Sequence, residues 1–238
     1  NFSVMILVYG FIFIVLLLVL YHTLFVVLFI PLLFKMTPLE NDALRKKLTA
    51  FSEKEGFLIT NIVVIDASKK TTKINAYFSG FGKQKKVMLF DTLLDKFSDT
   101  QLLAIVAHEI GHSKYKHMLK DMLFDIVLAF IYFTGFYFIL QMDIIQNSAN
   151  PFITSIVYTI ISIELFQKLM KSVKNSISRK HEKQADLYCK EMGYGVELIH
   201  NLSVVAKINK GNLDPHPLFV FFKYDHPPYK QRIQYLQN

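Results

Sequence analysis

Cysteine is almost absent from this chain: Cys189 is the single one among 238 residues. That excludes an internal disulfide and any metal site built on paired thiolates, and it suits polar parts that face a reducing compartment. Charge is missing over long stretches. No charged side chain occurs from Val4 to Phe34, and neither 1–34 nor 121–167 contains a Lys or Arg. Acidic residues are outnumbered overall, 19 against 27 Lys and Arg, for a net charge of +8. Internal repeats and low-complexity tracts are also lacking. So is the interleaving of aromatics with basic residues that nucleic-acid modules use, and nucleic acid is not expected as a partner. The opening apolar run has neither a basic leader nor a small-residue cleavage site, so it does not read as a signal peptide. Starting at Asn1, the chain reads as the C-terminal part of a longer protein.

Apolar residues are what is abundant. They make up 52% of the chain, with 22 Phe, and the mean hydropathy of +0.31 is too high for an ordinary soluble domain. Val4–Phe34 exceeds the roughly 20 residues that a helix needs to cross the hydrocarbon, and Pro31 marks its exit. Met122–Met142 and a weaker stretch, Phe152–Phe166, read as a membrane hairpin. Its connection, 143–150, has no Lys or Arg, whereas Lys35, Lys114, Lys116 and Lys120 flank the other side together with Lys168, Lys171 and Lys174. The positive-inside rule then places the basic side in the cytosol. Because all 27 basic residues fall in 35–120 and 168–238, both polar regions share that compartment, and membrane topology accounts for the charge. Asp125 and Glu164, within the apolar stretches, are expected at the interfacial ends of their spans.

The chain therefore divides into a first span and its exit (1–34), a polar half-domain (35–120), a membrane hairpin (121–167) and a second polar half-domain (168–238). Pro38–Glu55 has the pattern of an amphipathic helix ending near Gly56. Asn61–Asp66, Ile74–Ser79 and Lys86–Asp91 are short, β-branched or aromatic runs, with Gly80 and Gly82 between the last two, which predicts a small sheet with a hairpin. Ser98 and Gln101 form a capping-box signature before the run QLLAIVAHEIGHSKYKHMLK. The class expected is mainly α: several membrane helices, a metal-site domain and a small β-sheet.

In His108-Glu109-Ile110-Gly111-His112 the histidines are four apart, so on a helix both imidazoles project from one face and can hold one zinc ion. Glu109 lies beside them, placed to act as general base on the attacking water and later to protonate a leaving amine. As a bare pattern HExxH also arises by chance on surface helices. Here Leu102, Leu103, Ile105 and Val106 bury the helix, and an apolar environment seldom keeps two histidines and a carboxylate without partners.

A catalytic zinc needs a third protein ligand and an open position. The segment Ser178–Asp186 (SRKHEKQAD) returns to the basic side, and Glu182 and Asp186 share a helical face at i,i+4 spacing. Glu182 could ligate the ion while Asp186 fixes a histidine tautomer; taken alone, the pair is a weak signal, because most such pairs are solvated surface carboxylates. His117, five residues after His112, is expected at the membrane interface, and His181 at the surface. His22, His200 and His216 have no ligand spacing.

Four motifs together, HEIGH, SRKHEKQAD, the upstream SKKTTKINAYFSGFGKQKKVMLFDTLL and the terminal DHPPYKQRIQYL, resemble the type I CAAX prenyl endopeptidases, integral-membrane zinc metalloproteases of the endoplasmic reticulum and nuclear envelope. The similarity runs in order from Ile30 to Leu236. It implies a zincin-like metalloprotease domain closing one end of a membrane-helix barrel, with one Zn2+ on His108, His112 and Glu182, Glu109 as base and Asp186 behind a zinc histidine. It further implies that His226 hydrogen-bonds the developing oxyanion, that Arg232 supports that region, and that Asn75 lines a cleft for extended substrate. Outside the resemblance, His226-Pro227-Pro228 is only a loop and Asn75 a strand-edge amide. The implied activity is removal of the C-terminal tripeptide from prenylated CAAX proteins, with a possible second upstream cut, at the cytosolic side of the endoplasmic reticulum membrane. Two alternatives stand beside it: a membrane quality-control zinc protease acting on misfolded or translocon-clogging chains, and a non-catalytic scaffold, against which the intact His108, Glu109, His112 and Glu182 speak. The chain departs from the family at Ser113, where tryptophan is common, and at His181 and Lys183, which replace aromatic residues.

Overall fold

The computed structural model describes residues 4–24, 29–80, 84–208 and 212–238; the turn residue Gly82 lies outside them. The chain enters on α1 (Val4–Leu24), makes a short α2 (Ile30–Leu33), then β1 (Met36–Pro38), α3 (Asp42–Lys54), β2 (Leu58–Ile65), β3 (Ala76–Ser79) and β4 (Gln84–Phe90). α4 (Asp91–Leu94) and α5 (Asp99–Lys114) precede a second apolar helix, α6 (His117–Leu140), and a short α7 (Asp143–Gln146). The 39-residue α8 (Pro151–Cys189) runs through a π-helical turn, Lys190–Tyr194, into α9 (Gly195–Ile208), followed by α10 (Pro217–Lys223) and α11 (Tyr229–Gln237).

Among the described residues, three helices are long and apolar enough to cross a membrane: α1, α6 and the one that begins at Pro151. Their surfaces fit lipid, with Phe13, Leu16, Phe130, Phe138, Ile160 and Ile161 all exposed. α1 packs on α6 through edge-to-face contacts of Phe11 with Phe130 and Phe133, at centroid distances of 5.9 and 5.8 Å. At the basic ends of the three helices, Asp125 of α6 bonds His22 of α1 at 2.9 Å and Lys174 of α8 at 2.6 Å, which brings one carboxylate and its partners together where the helices leave the apolar zone.

The sheet has order β1-β2-β4-β3. β2 and β4 run parallel, while β1 and β3 pair antiparallel at the two edges, β3 with β4 in the expected hairpin. Burial alternates along the inner strands with the pleat. Ile62, Val87 and Leu89 face α3 and α5 together with Leu44, Leu48 and Val106; Val63, Ile65, Met88 and Phe90 face Ile30 and Phe34 at the exit from the first span.

The structure departs from expectation at the start of this domain. Pro38, read as the first residue of the amphipathic helix, instead ends β1, and the helix begins only at Asp42. Pro38 has no N–H to give and sits on an edge strand, where none is needed, and Asn41 caps α3 by accepting from the Leu44 N–H at 3.0 Å. At α5 the Gln101 side chain accepts from the Ser98 N–H at 2.8 Å, the reach-back half of the capping box. Position 167/168, read as the junction between hairpin and second half-domain, lies inside α8. At 1.5 Å per residue that helix is about 58 Å long, roughly twice the hydrocarbon thickness, so one rod carries both membrane and polar functions.

Leu48 is fully buried between α3 and the sheet. Leu48→Ala is expected to cost about 2–5 kcal/mol, read as a lowered melting temperature of the chain in detergent; an unchanged melting temperature would place α3 outside the core.

Candidate metal centre

The site forms where α5 crosses α8, and the crossing is unusually close. A Cβ added at Gly111 would lie 2.9 Å from Ala185 Cα and 3.2 Å from the Tyr188 ring. Glycine in the HEIGH motif thus admits the neighbouring backbone, and the donors of the two helices come within reach of one point. His108 Nε2 and His112 Nε2 are 3.1 Å apart. Glu182 of α8 offers Oε1 to His112 Nε2 at 3.2 Å and Oε2 to His108 Nε2 at 3.6 Å. Ligands held tetrahedrally by bonds of about 2.0–2.2 Å lie about 3.3–3.6 Å from one another; the donor spacings of 3.1, 3.2 and 3.6 Å come close to that range, and the donor chemistry suits one metal ion such as zinc.

Each of the other residues singled out from sequence has a definite place around this triad. Asp186, fully buried, lies 2.9 Å from His108 Nδ1. The same carboxylate accepts from Arg232 Nε at 2.7 Å and Nη2 at 2.6 Å, and from the Tyr235 hydroxyl at 2.5 Å. Arg232 Nη2 also reaches Glu182 Oε2 at 3.5 Å. The guanidinium is therefore engaged with the two carboxylates behind the donors. His226 stands on the open side, its Nε2 3.5 Å from Glu182 Oε1 and its Nδ1 2.9 Å from Asp225 Oδ1. Asn75 is exposed just before β3; its side-chain amide donates to the Tyr77 hydroxyl at 3.0 Å and its backbone carbonyl accepts from the Phe90 N–H at 3.1 Å. A cleft of about 480 Å3 joins Asn75, Glu109, the donor triad and His226, and continues over Ile105, Leu198 and Val205.

Charge is tuned by this setting. Burial pushes the Glu109 carboxyl up, against the pull of the His108 and His112 imidazoles. Burial opposes the charged form of His108, but the Asp186 carboxylate 2.9 Å from its Nδ1 and the charge of Glu182 outweigh it and raise the imidazole. His226 is raised first by its bond to Asp225, against burial and with help from Glu182. Arg232 is held charged despite burial, because Asp186 and Glu182 face it.

Two histidines are placed differently from expectation. His117 is not an interfacial residue: it is 2% exposed and bonds His112 Nδ1 through its own Nδ1 at 2.9 Å. Nor is His181 at the surface. It is 7% exposed and stacks on His117 with ring centroids 4.1 Å apart, so a flat ring still occupies a position where the resembling family has an aromatic one. Sequence reasoning missed these contacts, and those of Gln184 and Tyr235, because i+5 spacing within one helix turns His117 away. The helix in fact breaks at Lys116, whose φ of 55° starts α6 in a new direction.

Two half-buried histidines and a buried glutamate converging beside the base of an HExxH helix have the form of a metallopeptidase centre. The peptidase family M48 model matches residues 38–238, and the chain belongs to that family. It is 32% identical over 231 residues to CAAX prenyl protease 1 of Saccharomyces cerevisiae, covering 89% of this chain and 51% of that protein. Similarity to the human CAAX prenyl protease 1 homolog is 26% over 254 residues, covering 87% and 53%, and to an uncharacterized metalloprotease of Bacillus subtilis, YhfN, 25% over 224 residues, covering 87% and 50%. Among solved structures, the crystal structure of S. mikatae Ste24p superposes with a TM-score of 0.89 at 30% identity, over 98% of this chain and 58% of that one. The chain thus spans about half the length of the curated relatives it matches.

The Gly111 contact predicts that Gly111→Ala forces α5 and α8 apart and weakens metal binding at the donor triad, read by elemental analysis after loading with zinc. Gly135 of α6, with nothing within 4 Å of an added Cβ, is the control: Gly135→Ala should retain full zinc. Equal zinc in both variants would refute a packing role for Gly111.

Proposed function

We propose that this chain is the zinc-binding catalytic part of a membrane endopeptidase that removes the C-terminal tripeptide of prenylated CAAX proteins. The observation that carries this reading is the likeness to CAAX prenyl protease 1 along 89% of the chain, joined to a donor triad spaced for one metal ion beside Glu109. His108, His112 and Glu182 would hold the ion. When bound, zinc supplies a Lewis acid that polarises the scissile carbonyl and makes water acidic enough, with a pKa of about 7, to react at neutral pH.

The chain's own residues do the rest. Glu109 takes the proton of the attacking water and returns it to the departing amine. His226, raised by Asp225, donates from Nε2 to the oxygen on which negative charge develops. Arg232 and Tyr235 hold Asp186, which in turn orients His108; in this reading Arg232 positions the metal ligands. Extended substrate adds along β3, beginning at Asn75. The site lies on the basic side of the membrane helices, which the positive-inside rule assigns to the cytosol, here of the endoplasmic reticulum and nuclear envelope. A second upstream cleavage would use the same centre.

A second reading, a membrane quality-control protease with the same chemistry, would use the same donor triad and base; the likeness extends to a Bacillus subtilis relative named only as an uncharacterized metalloprotease. Matched farnesylated and unprenylated CAAX peptides separate the two. Prenyl-dependent, chelator-sensitive cleavage after the cysteine is expected, whereas equal cleavage of both peptides would favour the second reading. Glu109→Gln should keep zinc and lose about 10²–10⁴ in rate, and His112→Ala should lose both zinc and activity. Full activity of Glu109→Gln would eliminate the assigned base.

A further inference from the structure

One chain of polar contacts leads away from the donor triad and returns to the helix that supplies Glu182. His117 Nδ1 lies 2.9 Å from His112 Nδ1, and His117 Nε2 lies 3.0 Å from Gln184 Oε1 on α8. The ring between them is closely held. It is stacked on His181, with an interplanar angle of 11°, and faces Tyr115 on a plane tilted by 21° at 5.8 Å. The backbone supports this placement at some cost, because Lys116, a residue with a side chain, adopts the left-handed conformation that turns His117 back onto His112.

The hydrogens along this chain follow from the metal site without any net charge. His112 turns Nε2 toward His108 and Glu182, so a metal takes that lone pair and Nδ1 carries the hydrogen. That N–H donates to His117 Nδ1, which must be the bare nitrogen of its ring. His117 Nε2 then carries the hydrogen and donates to Gln184 Oε1, an acceptor. Reversing the chain would put the hydrogen of His112 on Nε2, the form that cannot ligate. The two zinc histidines are thus served from one helix: Asp186 faces His108 directly, and Gln184 reaches His112 through His117.

We infer that His117 is a positioning residue for the metal centre, which accepts the Nδ1 hydrogen of His112 while Gln184 holds it in the accepting tautomer. The inference rests on the assignment of zinc to His108, His112 and Glu182. Partners of this kind orient the ligand and raise its basicity, and losing one typically weakens metal binding about 10–100-fold.

The test measures the zinc dissociation constant of the detergent-purified chain by competition with a chromophoric chelator, alongside the melting temperature of the metal-stripped protein. His117→Phe keeps a flat ring for the stack and removes the acceptor; it is expected to bind zinc about 10–100-fold more weakly. His117→Asn restores an oxygen near the Nδ1 position and is expected to recover most of that loss. Wild-type affinity in His117→Phe, or an equal loss in both variants, would overturn the inference. If His117→Phe fails to fold, Gln184→Leu leaves the histidine in place and frees its tautomer: weaker zinc binding supports the role, and unchanged binding refutes it. His112→Ala separates the two levels, since zinc retained at wild-type affinity there would remove the metal-site assignment itself.

Discussion

Everything chemical in this protein depends on two helices meeting at less than the distance a methyl group requires. Gly111 lets the backbone of α8 at Ala185 come against α5, and that contact brings Glu182 within 3.2–3.6 Å of both imidazoles. Packed interiors do not flex to absorb an extra methyl cheaply, so the spacing of the donors is a property of the helix pair. The carboxylates gathered there would repel one another without compensation. Arg232, buried and bonded twice to Asp186, supplies it, and the Tyr235 hydroxyl completes the satisfaction of a fully buried carboxylate.

The same two helices connect the site to the apolar part of the chain. α8 begins in the apolar zone at Pro151, meets Asp125 through Lys174, and continues without a break to Glu182 and Asp186. α6 starts at His117, against His112, and runs back into the apolar zone. A displacement of either membrane helix along its axis would therefore be felt at the donors. The ion cluster of His22, Asp125 and Lys174 lies between, in a region where paired charges set relative position more than they add net stability. The sheet contributes differently: its β3 edge borders the cleft at Asn75 and leaves an extended strand available for pairing.

Much of this was legible in the order of residues, for reasons that are local. A run without charge from Val4 onward has few fates other than a membrane helix. Two histidines four apart on a buried helix share a face whatever the surroundings, and Ser98 with Gln101 marked the start of that helix. β1 was invisible because three residues ending in Pro38 carry no period, and their pairing is decided by β2. The partners of His112 were invisible because a single left-handed residue, Lys116, breaks the helical register on which sequence spacing relies.

The amino-acid sequence by itself determined that this chain carries membrane-length apolar helices and that His108, Glu109 and His112 form one unit, because hydropathy and helical period act within short windows. Only the tertiary structure decided that Glu182 and Asp186 join that unit, that Arg232 is bound to Asp186, and that His117 and Gln184 stand behind His112. Those contacts join residues 46 to 78 positions apart or turn on one backbone angle, and such distances close only when α5, α8 and α11 pack on one another.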